Sequence, residues 1–112
     1  MKKIEAIIKP FKLSSVKEAL HEINLSGMTV TDVKGFGRQR GKIGISEEQD
    51  FSDDFLAKIK IELIVDDNIL ENAIETIKKA AYSGKIGDGK IFVSNIEQVL
   101  RIRTGEKGSD AV

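Results

Sequence analysis

The sequence predicts an α+β domain in which a four-stranded antiparallel sheet carries two helices on one face. Four short segments are rich in aliphatic and β-branched residues, and two segments between them repeat apolar residues at helical spacing, in the order βαββαβ. With 112 residues, the chain is long enough for one hydrophobic core and too short for two domains. Two βαβ units with right-handed crossovers give the ferredoxin-like arrangement.

The first unit begins with an isoleucine-rich strand over residues 4–9, which ends before the only proline, Pro10. Ser15 and Glu18 have the spacing of a capping box, so a helix is expected to begin there. Its apolar residues recur on one helical face and are Val16, Ala19, Leu20 and Ile23. Asn24 and Gly27 are expected to end this helix.

The second unit follows a second strand over 28–34 and a long polar segment over 35–54. A third strand is expected over 58–65, after which Asp66-Asp67-Asn68 opens the second helix. The apolar stripe of that helix consists of Ile69, Leu70, Ala73, Ile74 and Ile77. A glycine-rich segment closes the helix, and residues 90–103 supply the last strand or strands.

The third strand alternates, so its two faces differ. The residues expected to face the helices are Ile59, Ile61, Leu63 and Val65, and those on the opposite face are Lys58, Lys60, Glu62 and Ile64. An open sheet face that mixes charge with aliphatic surface is usually covered by a partner. We therefore expect a homo-oligomer.

The charges of the chain balance, with 18 basic and 18 acidic residues. No net field therefore attracts nucleic acid or a membrane surface, and charge-driven recognition must be local. The absence of cysteine excludes disulfides and thiolate metal sites and agrees with a reducing compartment. No segment has the pattern of a signal peptide or the length of a membrane span, so a soluble, cytoplasmic protein is expected.

The glycine-rich segment over 83–92 resembles a phosphate-binding loop without being a P-loop. Gly84 and Gly89-Lys90 fit the spacing GxxxxGK, but Ile91 stands where a P-loop needs a hydroxyl on magnesium, and a strand follows instead of a helix. Glycine N–H groups and the Lys90 ammonium can still bind a nucleotide without hydrolysing it. The alternative is a structural turn in which Gly84 caps the preceding helix, and the spacing does not decide between them.

Two other segments carry groups suited to anions. Arg101 and Arg103 alternate with aliphatic residues, so a strand would direct both guanidinium groups to one side, where they could bind phosphate. The alternative is a solvated edge strand whose charges prevent aggregation, and the pattern by itself favours it. The long polar segment opens with Gly35-Phe36-Gly37-Arg38-Gln39-Arg40-Gly41, and its length indicates an interaction loop or a disordered insertion.

No catalytic constellation is evident. The one histidine, His21, lies off the apolar face of its helix, which favours a solvated side chain. The acidic residues of the long segment lack the spacing of a metal site or a glycosidase pair, and they are Glu47, Glu48, Asp50, Asp53 and Asp54. We therefore expect a binding protein and not an enzyme.

Five segments together resemble the PII nitrogen-regulatory signal proteins, the GlnB/GlnK family. They are KKIEAIIKPFKL at 2–13, GMTV at 27–30, VKGFGRQRG at 33–41, SGKIGDGKIFV at 83–93 and RIRTGE at 101–106. The resemblance spans the chain and implies a single PII domain over 1–112 that assembles as a homotrimer. It implies a T-loop over about 37–55, a glycine-rich B-loop over about 82–90 and a C-terminal loop over about 101–112.

The resemblance implies a nucleotide sensor, with ATP or ADP in the clefts between neighbouring subunits and 2-oxoglutarate beside Mg-ATP. The implied nucleotide-binding residues are Ile7, Thr29, Phe36, Gly37, Arg38, Glu62, Ile64, Gly87, Asp88, Gly89, Lys90, Arg101 and Arg103, with the two arginines reaching the phosphates from the next subunit. The implied 2-oxoglutarate site consists of Gln39, Gly41, Lys58 and Gly87, with Gln39 as the magnesium ligand. The effectors would change the T-loop and so the partner it contacts.

The implied partner is a metabolic enzyme, a kinase or an ammonium transporter, and a membrane is involved only through a transporter. Phe51 stands at the position of the uridylylated tyrosine and Gln49 at that of the phosphorylated serine, so neither modification is expected. Glu47 replaces the arginine that transporter-blocking members present, and an acidic T-loop suits a basic partner surface. The alternatives are a PII-like paralogue that senses another small molecule and a slow ATPase.

Overall fold

The structure is a computed structural model that describes residues 1–37 and 55–112, and it confirms the α+β sandwich. The strands are β1 (Lys2–Ile8), β2 (Thr29–Gly35), β3 (Leu56–Val65) and β4 (Lys90–Asn95), and the helices are α1 (Leu13–Glu22) and α2 (Leu70–Ala81). Within the described residues the strands form one sheet in the order β2-β3-β1-β4, with every neighbouring pair antiparallel. This is the ferredoxin-like order that two βαβ units generate.

The hydrophobic core lies between the helices and alternate residues of the two central strands. Antiparallel register places Ile4 opposite Leu63 and Ala6 opposite Ile61, so that one face of β1 and β3 is continuously apolar. The core residues are Ile4, Ala6, Ile8, Val16, Leu20, Ile59, Ile61, Leu63, Val65, Ala73, Ile77 and Ala81. The face predicted for the third strand is therefore confirmed.

The capping box predicted for α1 is wrong. A 3₁₀ turn over Pro10–Lys12 leads directly into α1, which begins at Leu13, so Ser15 lies within its first turn and no side chain caps the helix. The reason is Pro10, whose fixed φ angle favours the start of a helical turn and whose missing N–H is not needed there. Asn24 ends the helix as predicted, with a φ of 65°.

The polar residues before α2 hold the chain termini instead of capping the helix. Asp66 accepts a hydrogen bond from Ser109 Oγ at 2.9 Å, and Asp67 accepts one from the amino group of Met1 at 2.8 Å. A 3₁₀ turn over Asp67–Ile69 precedes α2, and neither carboxylate makes a side-chain cap. The second helix therefore begins near the predicted residue, but without a side-chain cap.

The end of the chain differs from the predicted strand over 90–103. The fourth strand ends at Asn95, and Arg101 and Arg103 lie in a turn closed by a bridge between Leu100 and Lys107. The predicted strand alternation of the two guanidinium groups is therefore wrong, and so is the edge-strand alternative. Gly105, at a φ of 73°, lets the chain reverse here. None of the helices in 1–37 and 55–112 is long and apolar enough to cross a membrane.

We predict that Ile61→Ala lowers the free energy of unfolding by about 2–5 kcal/mol, because the side chain is completely buried between sheet and helices. Ile102→Ala makes the same chemical change at a side chain that is 97% exposed, and it should cost less than about 0.5 kcal/mol. Urea denaturation at matched protein concentration measures both. Equal losses would contradict the core described here.

Candidate functional site

A cleft of about 650 Å³ opens where the end of β2, the start of β3 and the B-loop (residues 82–90) meet. Its lining residues are Ile7, Gly35, Phe36, Gly37, Leu56, Lys58, Ile86, Gly87, Gly89, Lys90 and Phe92. The walls are mainly apolar, and two lysines supply positive charge. A cavity of this size with few polar groups is suited to a small organic anion.

The structure brings together seven of the predicted site residues in this cleft: Ile7, Phe36, Gly37, Lys58, Gly87, Gly89 and Lys90. Three other predicted residues, Thr29, Glu62 and Ile64, do not line it. Thr29 pairs with Glu62, whereas Gly35 at the cleft pairs with Leu56, six positions earlier in β3. This corresponds to about 20 Å along the strand. Glu62 is nearer to the other side of the cleft, because Ile7 pairs with Lys60, two positions away in β3. Within one chain, the three residues lie outside the cleft wall.

Glu62 has its own cationic neighbour on the open face of the sheet. Lys3 Nζ lies 2.8 Å from Glu62 Oε2, and Lys60 lies 3.9 Å from the other carboxylate oxygen. The hydrogen bond from Lys3 lowers the pKa of Glu62 from its usual value, so the carboxylate is ionised at neutral pH. It is a charged acceptor, held by Lys3, on the open face of the sheet.

The conformation of the B-loop depends on glycine. Gly84, Gly87 and Gly89 have φ angles of 81°, 97° and 98°, which side chains with a β-carbon rarely adopt. A β-carbon on Gly89 would lie 1.6 Å from the carbonyl oxygen of Ile7. Gly89 is therefore required by the chain's own backbone, in addition to any role in binding. The predicted helix cap at Gly84 is wrong, because α2 ends at Ala81 with Tyr82 as its C-cap.

Asp88 lies at the back of the B-loop and not in the cleft. Its carboxylate accepts hydrogen bonds from the N–H groups of Ser83 and Gly84, at 2.8 and 2.9 Å, and from the hydroxyl of Ser83. Lys9 Nζ lies 3.3 Å from the same carboxylate. The Ser83 hydroxyl, its N–H group and these other donors hold the pKa of Asp88 far below its usual range.

Lys58 connects β3 to the B-loop across the cleft. Its ammonium donates a hydrogen bond to the carbonyl oxygen of Gly87 at 2.7 Å, and only 9% of the residue is exposed. Burial and, next, the positive charge of Lys9 lower the pKa of Lys58, while Asp88 acts in the opposite direction. A partly desolvated ammonium of this kind interacts strongly with a carboxylate that enters the cleft.

The residues on either side of the T-loop touch at the edge of the cleft. The rings of Phe36 and Phe55 have their centroids 5.4 Å apart at an angle of 47°. Gly35 and Leu56 continue the pairing of β2 and β3 directly behind them. Because Phe36 also lines the cleft, the base of the T-loop forms part of its wall.

Arg101 and Arg103 lie outside the cleft of their own chain. In the turn over 101–106, the Arg101 N–H donates to the Glu106 carbonyl and the Gly105 N–H donates to the Arg101 carbonyl, both at 2.8 Å. The side chain Arg101 Nη1 also lies 3.1 Å from Glu106 Oε1. Both arginines are exposed. The turn therefore presents them to the exterior, where a neighbouring molecule can be reached.

Five predicted functional positions lie outside the described residues, namely Arg38, Gln39, Gly41, Gln49 and Phe51. The acidic residues assigned to the T-loop also lie there. Among residues 1–37 and 55–112, no group of three or more histidine and carboxylate side chains could hold a metal ion.

Sequence reasoning missed the roles of Lys9 and Ser83 and several apolar lining residues. Lys9 is 8% exposed, and its ammonium lies 3.1 Å from Ser83 Oγ. Lys9 directly follows β1 and has the same parity as Ile7, which indicated that both lie on the open face, but nothing local indicates a partner 74 positions away. Phe92 has the same parity in β4 as Lys90, so strand alternation indicated that both side chains lie on one face of the sheet.

Comparison with known proteins identifies the family to which the chain is similar. The family model described as Nitrogen regulatory protein P-II matches residues 1–106. A Nitrogen regulatory protein P-II from Mesorhizobium japonicum is 63% identical and the Nitrogen regulatory protein P-II 1 of Escherichia coli K12 is 54% identical, each over 112 residues and the whole of both chains. The crystal structure of Arabidopsis thaliana PII bound to citrate has a TM-score of 0.84 and 41% identity, covering 99% of this chain and 91% of that one.

The chain therefore belongs to the nitrogen regulatory protein P-II family. By name this is a family of regulatory proteins and not of enzymes. The resemblance seen in the sequence is confirmed over the whole chain.

We predict that Gly89→Ala displaces the B-loop and lowers the free energy of unfolding by about 2 kcal/mol or more, because the new β-carbon overlaps the Ile7 carbonyl at a positive φ angle. Gly27→Ala is the matched control, since its β-carbon meets nothing within 4 Å. Denaturation and backbone amide spectra measure both effects. A Gly89→Ala protein with unchanged stability and unchanged B-loop signals would contradict the close approach.

Proposed function

We propose that this protein senses ATP or ADP together with 2-oxoglutarate and regulates nitrogen-metabolism partners by contact through its T-loop. The observation that supports this proposal most directly is the cleft, in which glycines of the B-loop lie beside Lys58 and Lys90. Glycine N–H groups and two ammonium groups suit phosphate and carboxylate oxygens. We propose that the protein acts in the cytoplasm as a regulator and not as an enzyme.

In this proposal the phosphates of the nucleotide lie against the B-loop. Gly87, Gly89 and Lys90 hold them, together with Gly37 and Arg38 at the start of the T-loop. The base and ribose take the apolar side near Ile7 and Phe36. The support is that the described members of this set line one continuous cleft.

A second copy of the chain completes the site. Thr29, Glu62 and Ile64 do not line the cleft of their own chain. Arg101 and Arg103 also face outward from their own chain. In a homotrimer, these residues of one subunit would meet the cleft of the next, which would also cover the open face of the sheet.

Lys58 is the proposed partner of a 2-oxoglutarate carboxylate, with backbone N–H groups near Gly41 and Gly87. In the present structure the Lys58 ammonium donates a hydrogen bond to the Gly87 carbonyl oxygen in the cleft wall, which places its charge beside the B-loop. The Arabidopsis PII structure was obtained with citrate, another polycarboxylate, which supports a carboxylate ligand for this family. Gln39 would bind the magnesium ion that joins ATP to 2-oxoglutarate.

The proposed switch works through the base of the T-loop. Phe36 lines the cleft and packs on Phe55, so a ligand that moves Phe36 acts on both ends of the loop. The ligand state is thereby coupled to the surface that a metabolic enzyme, a kinase or an ammonium transporter would contact. No covalent modification is proposed at Gln49 or Phe51.

The test is calorimetric titration of 2-oxoglutarate into the purified protein with and without Mg-ATP. We expect binding only when Mg-ATP is present, and a loss of tenfold or more in Lys58→Met, because an ion pair is removed in a partly dry site. Lys79→Met changes an exposed lysine of α2 and is the matched control. ATP binding without any 2-oxoglutarate response would make the protein a paralogue that senses another molecule, and failure of both would overturn the proposal.

The affinity for 2-oxoglutarate should fall as the pH rises into the alkaline range. Lys58 binds a carboxylate only while protonated, and because its pKa is lowered, it loses its charge at a lower pH than an ordinary lysine, whose pKa is about 10.4. Titrations between pH 7.5 and about 10 measure this effect, with the fold checked by circular dichroism. Lys58→Arg stays protonated throughout and should show a flatter profile. Equal slopes in both proteins would contradict the role of Lys58.

A further inference from the structure

Asp88 is turned away from the ligand cleft, although its two neighbours in the chain form part of the cleft wall. Gly87 and Gly89 line the cleft of about 650 Å³, and Asp88 does not. Asp88 lines an adjoining cavity of about 390 Å³ between α2 and β4, which shares Ile7, Gly89 and Lys90 with the cleft. Its carboxylate accepts hydrogen bonds from Ser83 and Gly84 at the beginning of the same loop. A bound nucleotide would therefore meet the backbone on either side of Asp88 and not its side chain.

The same carboxylate also attaches the loop to the sheet. Lys9 follows β1 and is buried, and its ammonium lies 3.3 Å from Asp88 Oδ1 and 3.1 Å from Ser83 Oγ. A buried ammonium needs such partners, because an unpaired charge in this position would be costly. Asp88, Ser83 and Lys9 thus form one cluster, which we call the Asp88 cluster, and it joins the two ends of the B-loop to the end of β1.

We propose that Asp88 is a positioning residue, which holds the B-loop in the shape that directs the Gly87 and Gly89 backbone toward the nucleotide, and that it is not itself a nucleotide ligand. This inference rests on the proposed nucleotide function. The hydrogen bonds to Ser83 and Gly84 close the loop on itself, and Lys9 fixes the closed loop against the strand that carries Ile7. The site is then built before the ligand arrives.

The negative charge of Asp88, taken by itself, predicts the opposite effect of its removal on ATP binding. The inference can therefore be tested. If Asp88 acted only as a negative charge near the cleft, its removal would leave Lys9 unneutralised and would strengthen the binding of an anion. If Asp88 positions the loop, its removal weakens binding despite the added positive charge. Asp88→Glu separates the two further, because it keeps the charge but lengthens the side chain by one methylene and cannot accept the same set of donors.

The experiment measures ATP affinity by calorimetry in Asp88→Asn, Asp88→Glu, Ser83→Ala and the control Asp110→Asn. We expect a loss of about tenfold or more in both Asp88 variants, of a few-fold in Ser83→Ala, and no change at the exposed Asp110. Wild-type affinity or tighter binding in Asp88→Asn would overturn the inference. So would wild-type affinity in Asp88→Glu.

Amide hydrogen exchange of the ligand-free wild-type protein tests the Asp88 cluster independently of nucleotide binding. The N–H groups of Ser83 and Gly84 donate to Asp88, so we expect slow exchange there in wild type and faster exchange in Ser83→Ala. Unprotected Ser83 and Gly84 amides in wild type would overturn the inference even if ATP binds. If wild type shows no ATP binding at any concentration, the proposed function fails, while this exchange result still decides the structural claim.

Discussion

The close approach of Gly89 to the carbonyl group of Ile7 is the contact on which the geometry of the cleft depends. A side chain at position 89 would overlap that carbonyl, so the start of β4 can pair with β1 in this register only with glycine there. The B-loop is thereby brought over the end of β1, where Lys9 contacts its back and Lys58 contacts Gly87 at its front. The sheet that forms the core thus also sets the position of the candidate site.

The fold and the B-loop side of the candidate cleft were predictable from local patterns. Alternation identified the buried face of β3, and the glycine spacing identified the B-loop, because both signals lie within short segments. The strand predicted at Arg101 and Arg103 rested on too few residues to outweigh Gly105 beyond it, where the chain turns back. The partnership of Lys9 with Ser83 spans 74 positions, and no local pattern specifies such a pair.

The electrostatics of the chain are local, as its zero net charge requires. Asp88 pairs with Lys9 behind the B-loop, and Lys58 and Lys90 lie in the cleft wall. In the proposed function a carboxylate would lie near Lys58 and phosphates near Lys90, and their shared neighbour Gly87 would couple the two ligands. The family membership gives this arrangement its biological context, namely nitrogen regulation.

The central claim is that each chain contributes half of a nucleotide site, with the B-loop on one copy and the arginines of the C-terminal turn on another. The direct measurement uses two variants, Lys90→Ala and the double variant Arg101→Ala/Arg103→Ala, and each variant alone should fail to bind ATP. Equal amounts of the two are then refolded together, and ATP binding by the mixed oligomers is measured. If the site is shared between copies, random mixing makes about a quarter of the clefts intact, and calorimetry should detect that stoichiometry. Binding that stays absent in the mixture would place both halves within one chain and contradict the account.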